Sequence, residues 1–194
     1  MIQKQLVHLE VKWGSDSPWF FTVVYHSPQA SGRILWEKIE EIAENINGPW
    51  CLGADFNSIL TLEDTWGSSN LSFDTTNFIN CIKLCEFNNL GFLGPLFTWQ
   101  RSNVKRRLDR FLSNLEFSNR FVEAGVKHLP KLKSDHLPIP LDFQLANQDG
   151  GNKPFRFLAP WVLHEDYNNI VKQSWNNSAN FTKNIATFIE KVKV

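Results

Sequence analysis

The alternation of apolar and polar positions divides the chain into short strands and two longer helices. Leu6, His8 and Glu10 alternate with Val7, Leu9 and Val11, the period of two expected of a strand. Residues 13–18 carry turn chemistry (Trp-Gly-Ser-Asp-Ser-Pro). Trp19–Tyr25 is rich in aromatic and β-branched residues and predicts a second, more buried strand. After a loop over 26–32, Ile34, Leu35, Ile39, Ile42 and Ile46 fall at helical spacing, and Gly48-Pro49 supplies the stop. Residues 50–53 form a short apolar strand leading into Ala54-Asp55-Phe56-Asn57. A polar loop is expected over 61–74, and Phe78, Ile79, Ile82 and Cys85 mark a second helix ending near Phe87. Further strands are expected at 96–99, 107–112 and 138–143, with a short helix or turn at 115–122. Helices interleaved with short strands predict a layered α/β (α+β) sandwich. Residues 147–152 read as a linker between a main domain, 1–146, and a helical tail, 153–194, too small to fold alone.

Composition narrows the classes. With 194 residues, 42% hydrophobic and 21% charged, the chain has enough apolar content to exclude disorder, and its 10 glycines show no period. No run reaches the roughly 20 apolar residues of a membrane span. The first residues lack an apolar block behind a basic head, so no signal peptide is expected, and the protein is expected to be intracellular, not secreted. Cys51, Cys81 and Cys85 are few, odd in number and without metal-ligand spacing, which suits reduced thiols. Net charge is zero, yet residues 99–133 hold nine basic and three acidic side chains. Such a basic segment suits either a solvated strand edge or a polyanionic partner.

Three places could carry chemistry. Asp55 and Asn57 follow a buried strand, where residues two apart project together while Phe56 turns to the core. A carboxylate beside an amide can orient water and hold a phosphate oxygen, although Asp-x-Asn also suits an ordinary turn. Ser134-Asp135-His136, before Leu137-Pro138, puts a histidine next to a carboxylate at a strand entrance. A helix cap or turn with an incidental histidine explains the same residues. A serine hydrolase is disfavoured, because no Gly-x-Ser-x-Gly elbow exists. In Arg107-Leu108-Asp109-Arg110-Phe111, Asp109 is either an ion-pair partner of the arginines or the orienter of a histidine.

Taken in order, these segments resemble one superfamily. Tyr25 before a Pro-containing loop, Trp50 to Asn57, Phe97-Thr98-Trp99 with Arg107 to Leu112, and Ser134 to Ile139 are together similar to the endonuclease/exonuclease/phosphatase superfamily. More narrowly they resemble the endonuclease of plant LINE-type non-LTR retrotransposons. Lys153 to Phe157 and Trp161 to Trp175 resemble the segment that joins this nuclease to a reverse transcriptase. The resemblance implies a four-layered α/β sandwich of the deoxyribonuclease I-like type, with a metal site at one end of two packed sheets. It implies that Asp55 positions or activates water, Asn57 holds water and phosphate, and Tyr25 contacts the scissile phosphate. It further implies that His136 stabilises the transition state, Asp109 orients His136, and Asp135 helps hold Mg²⁺ or Mn²⁺. DNA is the implied partner, through Arg101, Lys105, Arg106, Arg107 and Arg110, with a nuclear location if functional. Nothing calls for an obligate protein partner.

The sequence departs from this pattern in two ways. Ala54 stands where the family usually has Gly. The family's opening strand with an Asn, and its metal-ligand Glu in a Gln-Glu-Thr-like context, have no counterpart in the 24 residues before Tyr25. Glu10 lies on a strand matching a later segment and is not expected to replace that ligand. The expectation is therefore a copy lacking the first strands, with weak or absent catalysis, raw sheet edges and marginal solubility. The alternatives are a non-catalytic nucleic-acid-binding remnant and a decayed retrotransposon reading frame.

Overall fold

A computed structural model describes residues 5–27, 32–67, 73–145, 165–176 and 178–192. The chain divides into two compact units, Met1–Gly151 and Asn152–Val194. In the first, β1 (Leu6–Val11) pairs antiparallel with β2 (Trp19–Tyr25) along its whole length. Helix α1 (Arg33–Asn45) then returns the chain so that β3 (Trp50–Asp55) lies parallel to β2. A 3-10 turn (Leu62–Asp64) leads into β4 (Thr65–Trp66), followed by α2 (Phe73–Leu84), β5 (Asn88–Asn89) and β6 (Phe92–Leu93). A hairpin of β7 (Trp99–Arg101) and β8 (Val104–Arg106) precedes β9 (Asp109–Ser113). After α3 (Leu115–Arg120) come β10 (Gly125–Lys127) and β11 (Leu141–Asp142). The strands form one five-stranded sheet, β1-β2-β3-β9-β5, and two three-stranded sheets, β11-β10-β6 and β4-β8-β7.

Alternation along the central strands feeds two cores on opposite faces of the large sheet. On one face Val24, Leu52 and Leu112 pack against Trp36 and Ile39 of α1 and Phe78 and Cys81 of α2. On the other, Cys51 and Phe111 pack against Phe117 of α3 and Val126 of β10, with Trp19 closing the end. Full burial of each large apolar side chain contributes about 1.5–3 kcal/mol, so both layers are needed to hold the sheet. Gly53 is dictated by this packing. It lies opposite Phe111 across the β3–β9 ladder, and a Cβ there would meet the Phe111 ring at 2.4 Å. Asn114 joins α3 to the sheet. Its side chain accepts from Phe117 N at 3.0 Å and Trp50 N at 2.9 Å, while its backbone N donates to Trp50 O. Among the described residues β1 is an edge strand, with Val7 and Leu9 exposed on the face they share with the exposed Val23.

Sequence and structure agree closely for β1, β2, α1 and β3. They differ where tertiary partners decide. The segment expected as a polar loop over 61–74 contains the 3-10 turn, β4 and the start of α2. Strands β5, β6, β8 and β10 have only two or three residues, too few for a period, and exist because a neighbouring strand pairs with them. Of the strand expected at 138–143, only Leu141–Asp142 pairs with β10. The linker expected at 147–152 lies outside the described residues.

The second unit contributes α4 (Tyr167–Ser174) and α5 (Phe181–Val192). They form a helical hairpin. Asn184 N–H₂ donates to Asn176 O, Lys191 donates to Gln173 O, and the rings of Tyr167 and Phe188 meet edge to face. Among the described residues no helix is long and apolar enough to cross a membrane.

Candidate active site

The end of the large sheet collects the candidate residues. In the β2–β3 register Tyr25 lies beside Asp55, and in the β3–β9 register Asp55 lies beside Asp109. Three strands thus deliver one tyrosine and two carboxylates to the same rung. Beyond Asp55 the chain leaves the strand. Phe56 is fully buried against Phe78, as its position in the pattern requires. Asn57 does not project by strand alternation. It sits in the left-handed region at φ 45°, which asparagine tolerates better than most residues, and curls back. Its backbone N donates to Asp55 Oδ1 at 3.0 Å, and its side-chain amide donates to Asp55 Oδ2 at 3.0 Å and His26 O at 2.7 Å. The Asp55 carboxylate is thereby fixed through both oxygens.

His136 comes from the other side, placed by the Phe97-Thr98-Trp99 segment that the sequence set beside Arg107 to Leu112. The Thr98 hydroxyl accepts from Leu108 N and Asp109 N, both at 3.0 Å, and Thr98 O accepts from Leu137 N at 2.7 Å. Trp99 bridges to His136, and its indole N–H donates to Asp135 Oδ2 at 3.0 Å. The Phe-Thr-Trp segment therefore ties the backbones of Asp109 and His136 to each other. His136 Nδ1 lies 2.9 Å from Asp109 Oδ2, and its Nε2 lies 3.9 Å from Asp55 Oδ2. Donor atoms of Asp55, Asp109 and His136 all fall within 4.8 Å of one another. Asp135 stands outside this group, exposed, with its carboxylate engaged by Trp99. Glu10 pairs with Phe20 at the far end of β2 from Tyr25, and its side chain meets Lys12.

Electrostatics separate the roles. The hydrogen bond to Asp109 raises the His136 pKa above the ordinary histidine value, against the lowering effect of burial. Burial raises the Asp55 pKa, aided by the negative charge of Asp109, while Asn57 and His136 act in the opposite direction. Asp135 is lowered, chiefly by the Trp99 hydrogen bond. Two adjacent carboxylates, both largely removed from solvent, make a hard-oxygen environment. That chemistry fits a divalent cation.

The five expected DNA-facing cations divide in two. Arg101 is exposed and Lys105 and Arg106 are half-buried on the β7–β8 hairpin. Arg107 and Arg110 are interior, which corrects the expectation of a surface role. Arg110, 1% exposed, donates to Asp64 Oδ2 from both terminal nitrogens at 3.3 Å and also to Arg107 O. Burial pushes its pKa down to about 10. Arg107 lies over the Phe92 ring and donates to Asn89 Oδ1 at 3.1 Å. Asp64 also accepts from Leu60 N at 2.8 Å and Thr61 N at 3.2 Å, so one buried carboxylate anchors the arginines and the 3-10 turn. The ion pair open to Asp109 in the sequence is thus made by Asp64, and Asp109 serves His136.

This α/β sandwich, with carboxylates and a histidine gathered at one sheet end, is of the deoxyribonuclease I-like type seen in the endonuclease/exonuclease/phosphatase superfamily. Residues 19–140 match the profile of the family described as endonuclease-reverse transcriptase, and the chain belongs to that family. Among solved structures, the endonuclease domain of TRAS1, a telomere-specific non-LTR retrotransposon, is similar at a TM-score of 0.58 and 14% identity. That match covers 73% of this chain and 62% of the TRAS1 chain, so this protein spans less than two thirds of that neighbour's length. The Xenopus laevis APE2 catalytic domain is also found, at a TM-score of 0.43 and 19% identity, covering 69% of this chain and 52% of its own. No curated protein sequence matches.

Proposed function

We propose that this site hydrolyses DNA phosphodiesters as a metal-assisted endonuclease. The observation that carries the reading is the Asp109–His136 pair with Nε2 held 3.9 Å from Asp55 Oδ2. That gap is too wide for a direct hydrogen bond, yet an oxygen atom fits about 2.8 Å from each. In this reading the Asp55 carboxylate takes a proton from the attacking water as the new P–O bond forms, and the leaving oxygen takes up a proton from solvent as its bond to phosphorus breaks. His136 donates from Nε2 to a phosphoryl oxygen and balances the growing charge, while Asp109 holds its tautomer and orientation. Asn57 keeps the Asp55 carboxylate aimed, and Tyr25, exposed on the same rung, contacts the phosphate. Mg²⁺ or Mn²⁺, when bound, supplies charge neutralisation at the phosphorus. Asp55 would hold it, with Asp135 assisting from the rim.

Asp109 is committed to His136 and Asp135 to Trp99, so these residues give a cation a sparse set of ligands. Weak cation binding and low turnover follow. The LINE type and a nuclear site of action belong to the same reading. Nicking of supercoiled plasmid in millimolar Mg²⁺ or Mn²⁺ tests it, beside His136→Ala and a chelator control. Slow nicking that both controls abolish supports the proposal. Equal nicking by His136→Ala, or none from folded protein, overturns it. A second reading, binding without cleavage, rests on Arg101 and Lys105, which form no ion pair among the described residues. DNA retention without nicking would select it.

A further inference from the structure

The peptide unit between Phe56 and Asn57 is held at both ends. Its N–H, on Asn57, donates to Asp55 Oδ1 at 3.0 Å. Its carbonyl, on Phe56, lies 2.9 Å from His26 Nδ1, across 30 positions of chain. A carbonyl only accepts, so Nδ1 carries the proton and the tautomer of His26 is fixed. The histidine is 2% exposed, and its ring packs on Trp36 with centroids 5.2 Å apart.

His26 is tied to the same turn twice more. Its backbone N donates to Asp55 O at 3.0 Å, and its O accepts from the Asn57 side-chain amide at 2.7 Å. Any residue at position 26 could make those two bonds, but the bond to the Phe56 carbonyl needs the imidazole. That bond matters because Asn57 stands at φ 45°, where a residue other than glycine stays only if its surroundings hold it. Turning the 56–57 peptide over would return Asn57 to an ordinary φ and aim its N–H away from Asp55. The imidazole opposes the turn, since it would strand a carbonyl and a ring N–H in the interior. Both hydrogen bonds also share one amide, so polarising its carbonyl strengthens its N–H as a donor.

We propose that His26 is a positioning residue whose Nδ1–H holds the Phe56 carbonyl so that the Asn57 N–H stays aimed at the Asp55 carboxylate. The inference rests on Asp55 being the group that takes the water's proton, while the peptide orientation itself is read without any reaction. NMR of the full chain tests it with two variants. His26→Phe keeps a ring against Trp36 and loses the donor. His26→Asn loses the ring and keeps a donor, its Nδ2 standing where Nδ1 stood. In His26→Phe the Asn57 amide should move upfield and exchange with solvent about tenfold faster, since a hydrogen bond to a carboxylate is lost. The amides of His26 and Phe56, which donate to Asp55 O and Leu108 O, should keep their wild-type protection. In His26→Asn the Asn57 amide should return towards its wild-type shift and rate, although this variant is the less stable of the two. A packing role alone predicts the reverse order. An Asn57 amide unchanged in His26→Phe, or lost equally in both variants, overturns the proposal. Faster exchange spread evenly over Leu52, Phe56 and Asn57 also overturns it, because that is general loosening. Plasmid nicking reads the consequence: kcat about tenfold lower in His26→Phe with KM within about twofold, and largely recovered in His26→Asn. A kcat unchanged in His26→Phe refutes the positioning role. The amide pattern without nicking by wild type refutes only the hydrolytic reading.

Discussion

Replacing Asp109 by asparagine isolates the interaction on which the site's geometry depends. The substitution keeps size and one acceptor oxygen but removes the charge that His136 Nδ1 faces at 2.9 Å. A hydrogen bond to a charged group contributes about 1.5–3 kcal/mol, a neutral one about 1 kcal/mol, so the expected loss is on the order of 1 kcal/mol. That loss depends on pH. Because Asp109 raises the His136 pKa, its contribution to stability is full below the unfolded histidine value near 6.5 and disappears as pH rises through the folded one. Urea unfolding of wild type and Asp109→Asn should therefore differ more at pH 5.5–6 than at pH 8.5. NMR titration of the His136 ring should show its pKa falling, since burial is then opposed only by the weaker pull of Asp55 and Asp135. An unchanged His136 titration, or a stability gap equal at both pH values, would refute the argument that Asp109 works through the imidazole.

Other outcomes follow from the same geometry. Asp55→Asn should raise the melting temperature at pH 7 while abolishing nicking. The folded state favours protonated Asp55, so its ionisation opposes folding as pH rises through the raised pKa, and the gain should shrink towards pH 4 in thermal melts. Millimolar Mg²⁺ should raise the melting temperature of wild type and leave Asp55→Asn unmoved, as scanning calorimetry would show. Gly53→Ala should cost about 1–3 kcal/mol in urea unfolding, because the Phe111 ring occupies the space of the new methyl. Asp64→Leu should cost about 3–5 kcal/mol, since it strands the fully buried Arg110 guanidinium. Arg110→Met should cost less, because Asp64 keeps Arg107 and two backbone N–H donors; equal unfolding midpoints would contradict this.

Local periodicity was enough for the elements that bury a continuous face. Trp19–Tyr25 and Arg33–Asn45 carry their own signal, and the Asp55, Asp109 and His136 motifs stand out because chemistry restricts them to few residue types. The remainder is held by partners far away in the chain. Thr98 belongs to a motif the sequence displays, but nothing local shows that its hydroxyl sits beneath Leu108 and Asp109. Arg107 and Arg110 count as surface charge in any composition, and only the carboxylate of Asp64, more than forty residues earlier, takes them inside. Trp66 looked like part of a polar loop because a two-residue strand has no pattern to display.

The ladder between β3 and β9 has both cores pressed on its middle and the two carboxylates on its last rung. Amide hydrogens of Leu52 and Leu112 should accordingly exchange with solvent only in global unfolding, whereas those of the β7–β8 hairpin escape through local opening. The reactive groups are mounted on the slowest-breathing part of the molecule. The fold thus mounts its candidate reactive groups where opening to solvent is rarest.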